Sequence, residues 1–143
     1  MCTAVVLGFA TAAAVGCSKN NPSSSSTTTP TPTPVAPTTT EEFDSTVPVG
    51  GSAFYSFSVS QYGTVNLTLT SVSGAYVPAT VMLAIGIGTP SGTACSTTSA
   101  TNAAAGSAAQ VTGSYDVGVY CAKVSDVGNL FAPANFTMSI AHP

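Results

Sequence analysis

From residue 41 onward, apolar and polar side chains alternate along the chain with a period of two. The clearest case is the segment 64–70, in which Val65, Leu67 and Leu69 share one face and Thr and Asn residues take the other. Such alternation is typical of a half-buried strand in an antiparallel sheet. The inward residues of three similar runs are Tyr55, Phe57 and Val59; Tyr115, Val117, Val119 and Cys121; and Phe136, Met138 and Ile140.

Further strands are predicted where the pattern is weaker. Residues 80–87 are almost continuously apolar, as a central strand covered on both faces would be. A first strand over 42–47 and another over 108–111 bring the total to seven or eight, and 100–109 is otherwise a loop. In about 100 residues, this number of strands predicts an all-β fold, an antiparallel β-sandwich over residues 41–143. The turn signals that separate the runs are Val49-Gly50-Gly51-Ser52, Gln61-Tyr62-Gly63, Ser73-Gly74-Ala75, Thr89-Pro90-Ser91-Gly92, Thr112-Gly113-Ser114 and Val127-Gly128-Asn129.

Charge is scarce throughout the 143 residues. Charged side chains make up 5% of the chain, with two Lys, no Arg and a net charge of −3. No basic surface is available to bind phosphates, so a nucleic-acid partner is not expected. The single His, His142, is the penultimate residue, where we expect the chain to fray. Polar catalytic side chains are too few for most enzyme mechanisms, and we predict a non-enzymatic protein without a cofactor.

The N-terminus carries an export signal. Residues 4–16 are apolar, and as a helix they would reach about 20 Å, which is short of the ~30 Å hydrocarbon layer. This length fits the core of a signal peptide, over residues 1–16. The end of the segment, Ala14-Val15-Gly16-Cys17, resembles the bacterial lipobox, and that resemblance implies that Cys17 becomes an acylated mature N-terminus. An ordinary cleaved signal or a short uncleaved anchor, with Cys17 a plain thiol, is the alternative.

The residues after Cys17 predict a disordered tether over 17–40. Of the 23 residues from Ser18 to Thr40, 18 are Ser, Thr or Pro. The Thr-Pro repeat favours polyproline II, because each Pro fixes φ and disfavours helix in its predecessor. At about 3.1 Å per residue the tether reaches roughly 70 Å when extended. Such a stalk would hold a domain away from the membrane to which Cys17 is anchored.

Cysteine counting predicts one disulfide. Of the four cysteines, Cys2 leaves with the signal and Cys17 is committed to lipid, so Cys95 and Cys121 remain. We place Cys121 on the inward face of its strand and Cys95 in the loop after the central strand. A bond between them suits an exported protein and would stabilise the fold by roughly 3.5 kcal/mol in the chain-entropy model. Two free, buried thiols are the alternative.

Four motifs follow one another over residues 41–143: Gly51-Ser52-Ala53-Phe54-Tyr55-Ser56-Phe57-Ser58-Val59, Gly63-Thr64-Val65-Asn66-Leu67-Thr68-Leu69, Gly113-Ser114-Tyr115-Asp116-Val117-Gly118-Val119-Tyr120 and Asn135-Phe136-Thr137-Met138-Ser139-Ile140. In this order they resemble the bacterial pre-peptidase C-terminal (PPC) domain family. That resemblance implies a jelly-roll-like sandwich and a non-catalytic accessory role in secretion, solubility or binding of polymers such as collagen or polysaccharide. Some relatives bind calcium near the start of the domain, which makes Glu41, Glu42 and Asp44 weak calcium candidates. Solvated charge is the alternative interpretation of these three residues.

A set of aromatic residues carries the remaining binding signal. They lie off the inward registers or in predicted loops, and exposed aromatic rings can stack on sugars or anchor a protein interface. Packing at the ends of the sandwich is the alternative. The set consists of Phe54, Tyr62, Tyr76, Tyr120 and Phe131.

Together these features predict a lipid-anchored protein of the bacterial cell envelope, on the outer-membrane, periplasmic or surface side. Its expected function is adhesion, or accessory binding of an extracellular polymer or protein. A stalked carbohydrate-binding module is one alternative, and it would need a strip of co-planar exposed aromatics on one sheet. A structural envelope protein that self-associates through a poorly charged sheet edge is another.

The anchor is testable by intact-mass measurement of protein extracted from membranes. We expect a chain that begins at Cys17 and carries acyl mass, since two or three acyl chains are needed for stable anchoring. A Cys17→Ser chain is the control and should lack that mass. An unmodified chain that begins at any other residue would refute the anchor.

Overall fold

A computed structural model describes residues 29–143, so the predicted signal peptide, Cys17 and the first part of the predicted tether lie outside the described residues. Residues Thr31–Pro143 form one compact unit of eight strands. No helix among the described residues is long and apolar enough to cross a bilayer. The strands are β1 (Thr39–Val47), β2 (Ser52–Val59), β3 (Gly63–Ser73), β4 (Leu83–Ser91), β5 (Ala94–Ala103), β6 (Val111–Tyr115), β7 (Gly118–Asp126) and β8 (Ala134–His142).

The strands form two antiparallel four-stranded sheets that pack face to face. The order is β1-β8-β3-β6 in one sheet and β2-β7-β4-β5 in the other. Successive strands lie in opposite sheets except for β4 and β5, which are neighbours in one sheet, and this is the arrangement of a jelly roll. The predicted antiparallel β-sandwich is therefore confirmed. β1 begins at Thr39, two residues before the predicted domain boundary.

The core lies between the two sheets and is made by the inward residues of each strand. Val65, Leu67 and Leu69 of β3 have no solvent exposure, as predicted. The inward residues predicted for β8, Phe136, Met138 and Ile140, are also buried. Each of these strands turns its polar side chains to solvent, because successive side chains point to opposite faces. The central strand β4 adds three further buried residues, Leu83, Ile85 and Ile87.

One predicted strand is two strands in the structure. β6 ends at Tyr115 and β7 begins at Gly118, so the chain reverses between them. The turn predicted at Thr112-Gly113-Ser114 is wrong, because these residues lie inside β6. Because the reversal changes which face each residue takes, Val117 and Val119 are exposed, at 67% and 58%, and their predicted inward placement is wrong.

The predicted disulfide between Cys95 and Cys121 is present. Its placement differs from prediction in two respects, since Cys95 lies in β5 and Cys121 lies on the outer face of β7. The alternation of β7 shows this, because the core residues are Ala122 and Val124. The bond links β5 to β7 across β4, which lies between them in the sheet. The disulfide therefore links the edge strand β5 to an interior strand of the same sheet.

A glycine in β4 makes room for this bond. Gly88 pairs with Cys121 on one side and Thr97 on the other, at a bulge in the β4–β5 ladder. A Cβ atom at Gly88 would lie 1.9 Å from the carbonyl oxygen of Ser96, so β5 passes over β4 where a side chain would otherwise stand. This close approach brings the Cα atoms of Cys95 and Cys121 to 5.9 Å from each other.

Both termini of the compact unit are held at the same end of the sandwich. The amide of Val35 donates to the Tyr62 carbonyl, and the Thr38 amide donates to the His142 carbonyl. The carbonyl of Pro143 accepts from Ser60, so the last residues are tied to the fold. The expectation that the chain frays at His142 is wrong, because His142 pairs with Thr39 of β1 and is only 5% exposed.

The strand directions define two ends of the sandwich. The proximal end is where β1 begins and β8 ends, and it carries the connections 60–62, 92–93 and 116–117. The distal end carries the connections 48–51, 74–82, 104–110 and 127–133. A nine-residue strand such as β1 separates the ends by about 30 Å. The N-terminal segment thus joins the sandwich at the end opposite the longest connections.

A test of the β4–β5 crossing is the substitution Gly88→Ala. The added methyl group would displace the Ser96 backbone, and overpacking of this kind costs about 1–3 kcal/mol of unfolding free energy. We also expect slower pairing of Cys95 with Cys121 during oxidative refolding, measured by thiol titration. Gly118→Ala is the control, because its Cβ would meet only the Tyr120 ring at 3.6 Å. Equal stability of the two variants would contradict the account of Gly88.

Candidate functional site

Exposed apolar side chains concentrate at the distal end of the sandwich. Five of the eight large apolar residues that are exposed among residues 29–143 lie in or beside its connections. Contiguous exposed apolar surface on a soluble protein commonly marks a binding site. The five are Val49, Tyr76, Met82, Val127 and Phe131.

Two of these connections enclose a cleft of about 350 Å³. One wall is the β3–β4 connection, with Tyr76, and the other is the β7–β8 connection, with Phe131. The two rings are 92% and 93% exposed, so they stand beside the cleft without packing into the protein. We call this feature the aromatic cleft. Its other lining residues are Val77, Pro78, Thr80, Val81, Met82, Asn129 and Leu130.

The lining of the aromatic cleft is mostly apolar and carries no charge. Val81 and Leu130 are buried and form its base, while Nδ2 of the Asn129 side chain donates to the Met82 carbonyl at 2.9 Å. That hydrogen bond ties one wall to the other. The cleft can therefore receive a neutral group with an apolar face, which the two rings could cover by stacking.

Tyr76 is held outward by an unusual backbone conformation. It has a φ of 62°, and no other non-glycine residue in the described part of the chain has a positive φ. The Val77 amide donates to the Gly74 carbonyl, so Tyr76 occupies the third position of a turn. That position with positive φ favours Gly or Asn. A large aromatic residue there is strained, and strain of this kind clusters at functional sites.

Asp126 positions the second wall of the cleft. Its Oδ1 accepts hydrogen bonds from the amides of Gly128, Asn129 and Leu130 at 2.8, 3.0 and 3.2 Å. Its Oδ2 accepts from the Gly50 amide at 2.7 Å, which ties in a third distal connection. The Gly50 amide, followed by the three others, lowers the pKa of Asp126. The turn signal at Val127-Gly128-Asn129 thus lies in a connection between strands, and the Asp126 side chain holds that connection through its backbone amides.

Comparison of the sequence with known proteins identifies no relative of this chain. No protein-family model and no curated protein matches the chain. The aromatic cleft therefore stands on its own geometry.

The other three predicted aromatics are elsewhere and less exposed. Tyr120 packs on the core, with its ring 5.1 Å from that of Tyr115 and 6.2 Å from that of Phe57. Phe54 is half-buried on β2, and Tyr62 is half-buried at the proximal end. The exposed aromatic rings among residues 29–143 thus lie on connections, and they do not form the strip on a sheet that a flat carbohydrate-binding face would need.

The three weak calcium candidates do not converge. Alternation along β1 turns Glu41 toward the interior and Glu42 and Asp44 to solvent. In the described part of the chain, no group of three or more His, Cys, Asp or Glu side chains could hold a metal ion. Asp44 instead accepts a hydrogen bond from the Thr137 hydroxyl.

Glu41 has a structural role at the open side of the sandwich. Its Oε2 accepts from the Tyr55 hydroxyl at 2.6 Å, and its Oε1 lies 3.0 Å from His142 Nε2. The Tyr55 hydroxyl, assisted by His142, lowers the pKa of Glu41. Since Tyr55 belongs to one sheet and Glu41 and His142 to the other, these contacts join the two sheets.

Sequence patterns found part of the site. Tyr76 and Phe131 stood out because they are large aromatic residues off the predicted inward faces, and Asn129 belongs to a predicted turn signal. Val77, Met82 and Leu130 carried no such signal, since their role depends on two connections that are far apart in the chain. Cys17 lies outside the described residues.

The Asp126 network predicts a pH dependence. Because the folded protein lowers its pKa, ionised Asp126 stabilises the fold above the ordinary pKa of 3.8, and this stabilisation is lost as pH falls through the lowered value. We expect Asp126→Asn to lower the melting temperature at pH 6, and the difference from wild type to shrink at pH values below about 3.8.

Thermal unfolding monitored by circular dichroism between pH 2 and pH 7 checks this prediction. Asp116→Asn is the matched control, because Asp116 carries the same charge in an exposed connection. It should leave the melting curve close to wild type. A constant difference between Asp126→Asn and wild type over the whole pH range would show that the carboxylate charge is not what stabilises the connection.

Proposed function

We propose that this chain is a lipid-anchored, non-enzymatic protein of the bacterial cell envelope that presents a PPC-type β-sandwich for adhesion or accessory binding. The proposed binding site is the aromatic cleft, and the proposed anchor is Cys17. The observation that carries the proposal is the position of the cleft at the distal end, opposite the end where the N-terminal segment joins the sandwich.

This arrangement suits a protein held by its N-terminus. Val35 and Thr38 attach the N-terminal segment to the proximal end, about 30 Å from the distal connections. A tether that starts at an acylated Cys17 would approach the sandwich from the membrane side. The aromatic cleft would then face outward, where it can meet a partner in the surrounding medium.

The chemistry of the cleft indicates the kind of partner. Its lining has no charged side chain, and its two exposed rings offer large, rigid apolar surface. Rigid aromatic residues lose little conformational entropy on contact and dominate the energetics of many interfaces. A neutral extracellular polymer or an uncharged region of a protein fits this surface better than an ionic ligand does.

A carbohydrate is a second candidate ligand for the same cleft. Tyr76 and Phe131 stand on opposite walls, an arrangement in which a sugar ring could stack on either aromatic face. The ligand would be gripped at its end or at a bend, because the rings lie on connections. This differs from a module that lays a chain along a flat sheet.

The non-enzymatic part of the proposal rests on the roles of the titratable groups. Asp126 binds four backbone amides, and Glu41 is occupied by Tyr55 and His142. Neither carboxylate lines the aromatic cleft. These two carboxylates therefore already act as structural groups.

The proposal predicts adsorption that depends on the two rings. We expect the full chain to sediment with an insoluble polysaccharide or with collagen, and the double variant Tyr76→Ser/Phe131→Ser to bind at least about tenfold more weakly, as loss of interface anchors does. Binding to polysaccharide alone would favour the carbohydrate candidate. Binding to collagen alone would favour a protein partner.

The matched control is Val117→Ser/Val119→Ser. It removes two exposed apolar side chains from the other end of the sandwich, so it should bind as wild type does. Equal losses in both double variants would indicate non-specific adsorption and refute the cleft as the site. Unchanged binding of the Tyr76 and Phe131 variant would refute it as well.

A further inference from the structure

The four sheet edges of the sandwich differ in how they are protected. β1 and β6 are the edges of one sheet, and β2 and β5 are the edges of the other. β1 carries Glu41, Glu42 and Asp44, and β6 has five residues. Charges and short length both discourage the addition of another strand. The edges of the first sheet are therefore protected by two ordinary devices.

The two edges of the second sheet carry no charge, but they are not equivalent. β2 alternates exposed and buried side chains, and its Tyr55 stacks on Phe43 of β1 with ring centres 4.8 Å apart. β5 has ten residues without a charge or a proline, and its seven residues from Ser96 to Asn102 are all exposed. A strand exposed on both faces and along one edge is an open template for pairing.

This open strand is also held rigidly in place. Cys95 fixes its start to β7, and Ala103 at its other end is buried. Between them the strand lies close against β4, where added Cβ atoms at Gly86 and Gly88 would meet the Ser99 and Ser96 carbonyl oxygens. A rigid edge loses little entropy when another strand pairs with it.

From these features we infer that β5 pairs with β5 of a second copy of this chain. An isologous contact joins identical surfaces, and only an antiparallel ladder is equivalent from both of its strands. Such pairing brings the same residues of the two copies near each other. Charged residues would repel each other in this arrangement, but β5 carries no charge. The bulge at Thr98 turns Thr97 to the face of β5 opposite that of Ser99 and Thr101. With the two-fold axis near Ala100, Ser99 of each copy lies beside Thr101 of the other, and Thr–Ser pairs across strands are favourable.

The antiparallel contact sets the direction of the two copies. β5 runs from the proximal to the distal end, so the distal end of one copy lies beside the proximal end of the other. The segments that contain Val35 and Thr38 therefore lie at opposite ends of the pair. The pairing does not involve the aromatic cleft, so it does not depend on which ligand the cleft binds.

The test is sedimentation equilibrium of the full chain in a density-matched non-ionic detergent. We expect the wild type to show a monomer–dimer equilibrium. Ser99→Lys/Thr101→Lys and Ser99→Asp/Thr101→Asp should each raise the dimer dissociation constant at least about tenfold, because like charges then face each other. An equimolar mixture of the two variants should restore dimers, since opposite charges then pair.

The matched control is Ser56→Lys/Ser58→Lys, which places the same charge at exposed sites on β2, the other edge of the same sheet. It should dimerise as wild type does. A wild type that remains monomeric at every concentration would overturn the inference, and so would dimers that persist in both charged β5 variants. Recovery of dimers in the mixture shows at the same time that both variants are folded.

Discussion

Two four-stranded sheets bury their apolar faces against each other, and the rest of the structure depends on this burial. Few other interactions are available, because charged residues are 5% of the chain and the described residues contain one contact between an acidic and a basic side chain, that of Glu41 with His142. The strands whose apolar residues alternate therefore turn them toward the other sheet. The antiparallel pairing within each sheet then decides which connections meet at each end.

The separation of the two ends gives the molecule a polarity. Short connections and both termini of the compact unit lie at the proximal end, where backbone hydrogen bonds from Val35, Thr38 and Ser60 close it. Longer connections lie at the distal end, held by Asp126 and Asn129, which bind backbone groups of neighbouring connections. A rigid sandwich between the ends allows loop residues to be presented without loss of stability in the core.

The local pattern of apolar and polar residues was enough to predict the class of fold, because strict alternation in β3 and β8 indicates strands with one buried face. It failed where the chain reverses between Tyr115 and Gly118, since apolar residues on both sides of the reversal continue the same spacing. The pairing of Cys95 with Cys121 followed from counting, but the outer position of Cys121 depends on the face that β7 buries. The cleft and the seven exposed residues of β5 arise from contacts between distant segments, which a local pattern does not contain.

The conformation of Tyr76 has a consequence for how this protein could change over evolutionary time. Replacement by Gly would relieve the positive φ and remove one of the two rings at once. At this one position, a change that stabilises the fold would remove a contact with the ligand. The same trade-off occurs in proteins whose active residues destabilise the folded state. Under selection for thermal tolerance alone, this turn would be among the first places to drift toward Gly or Asn.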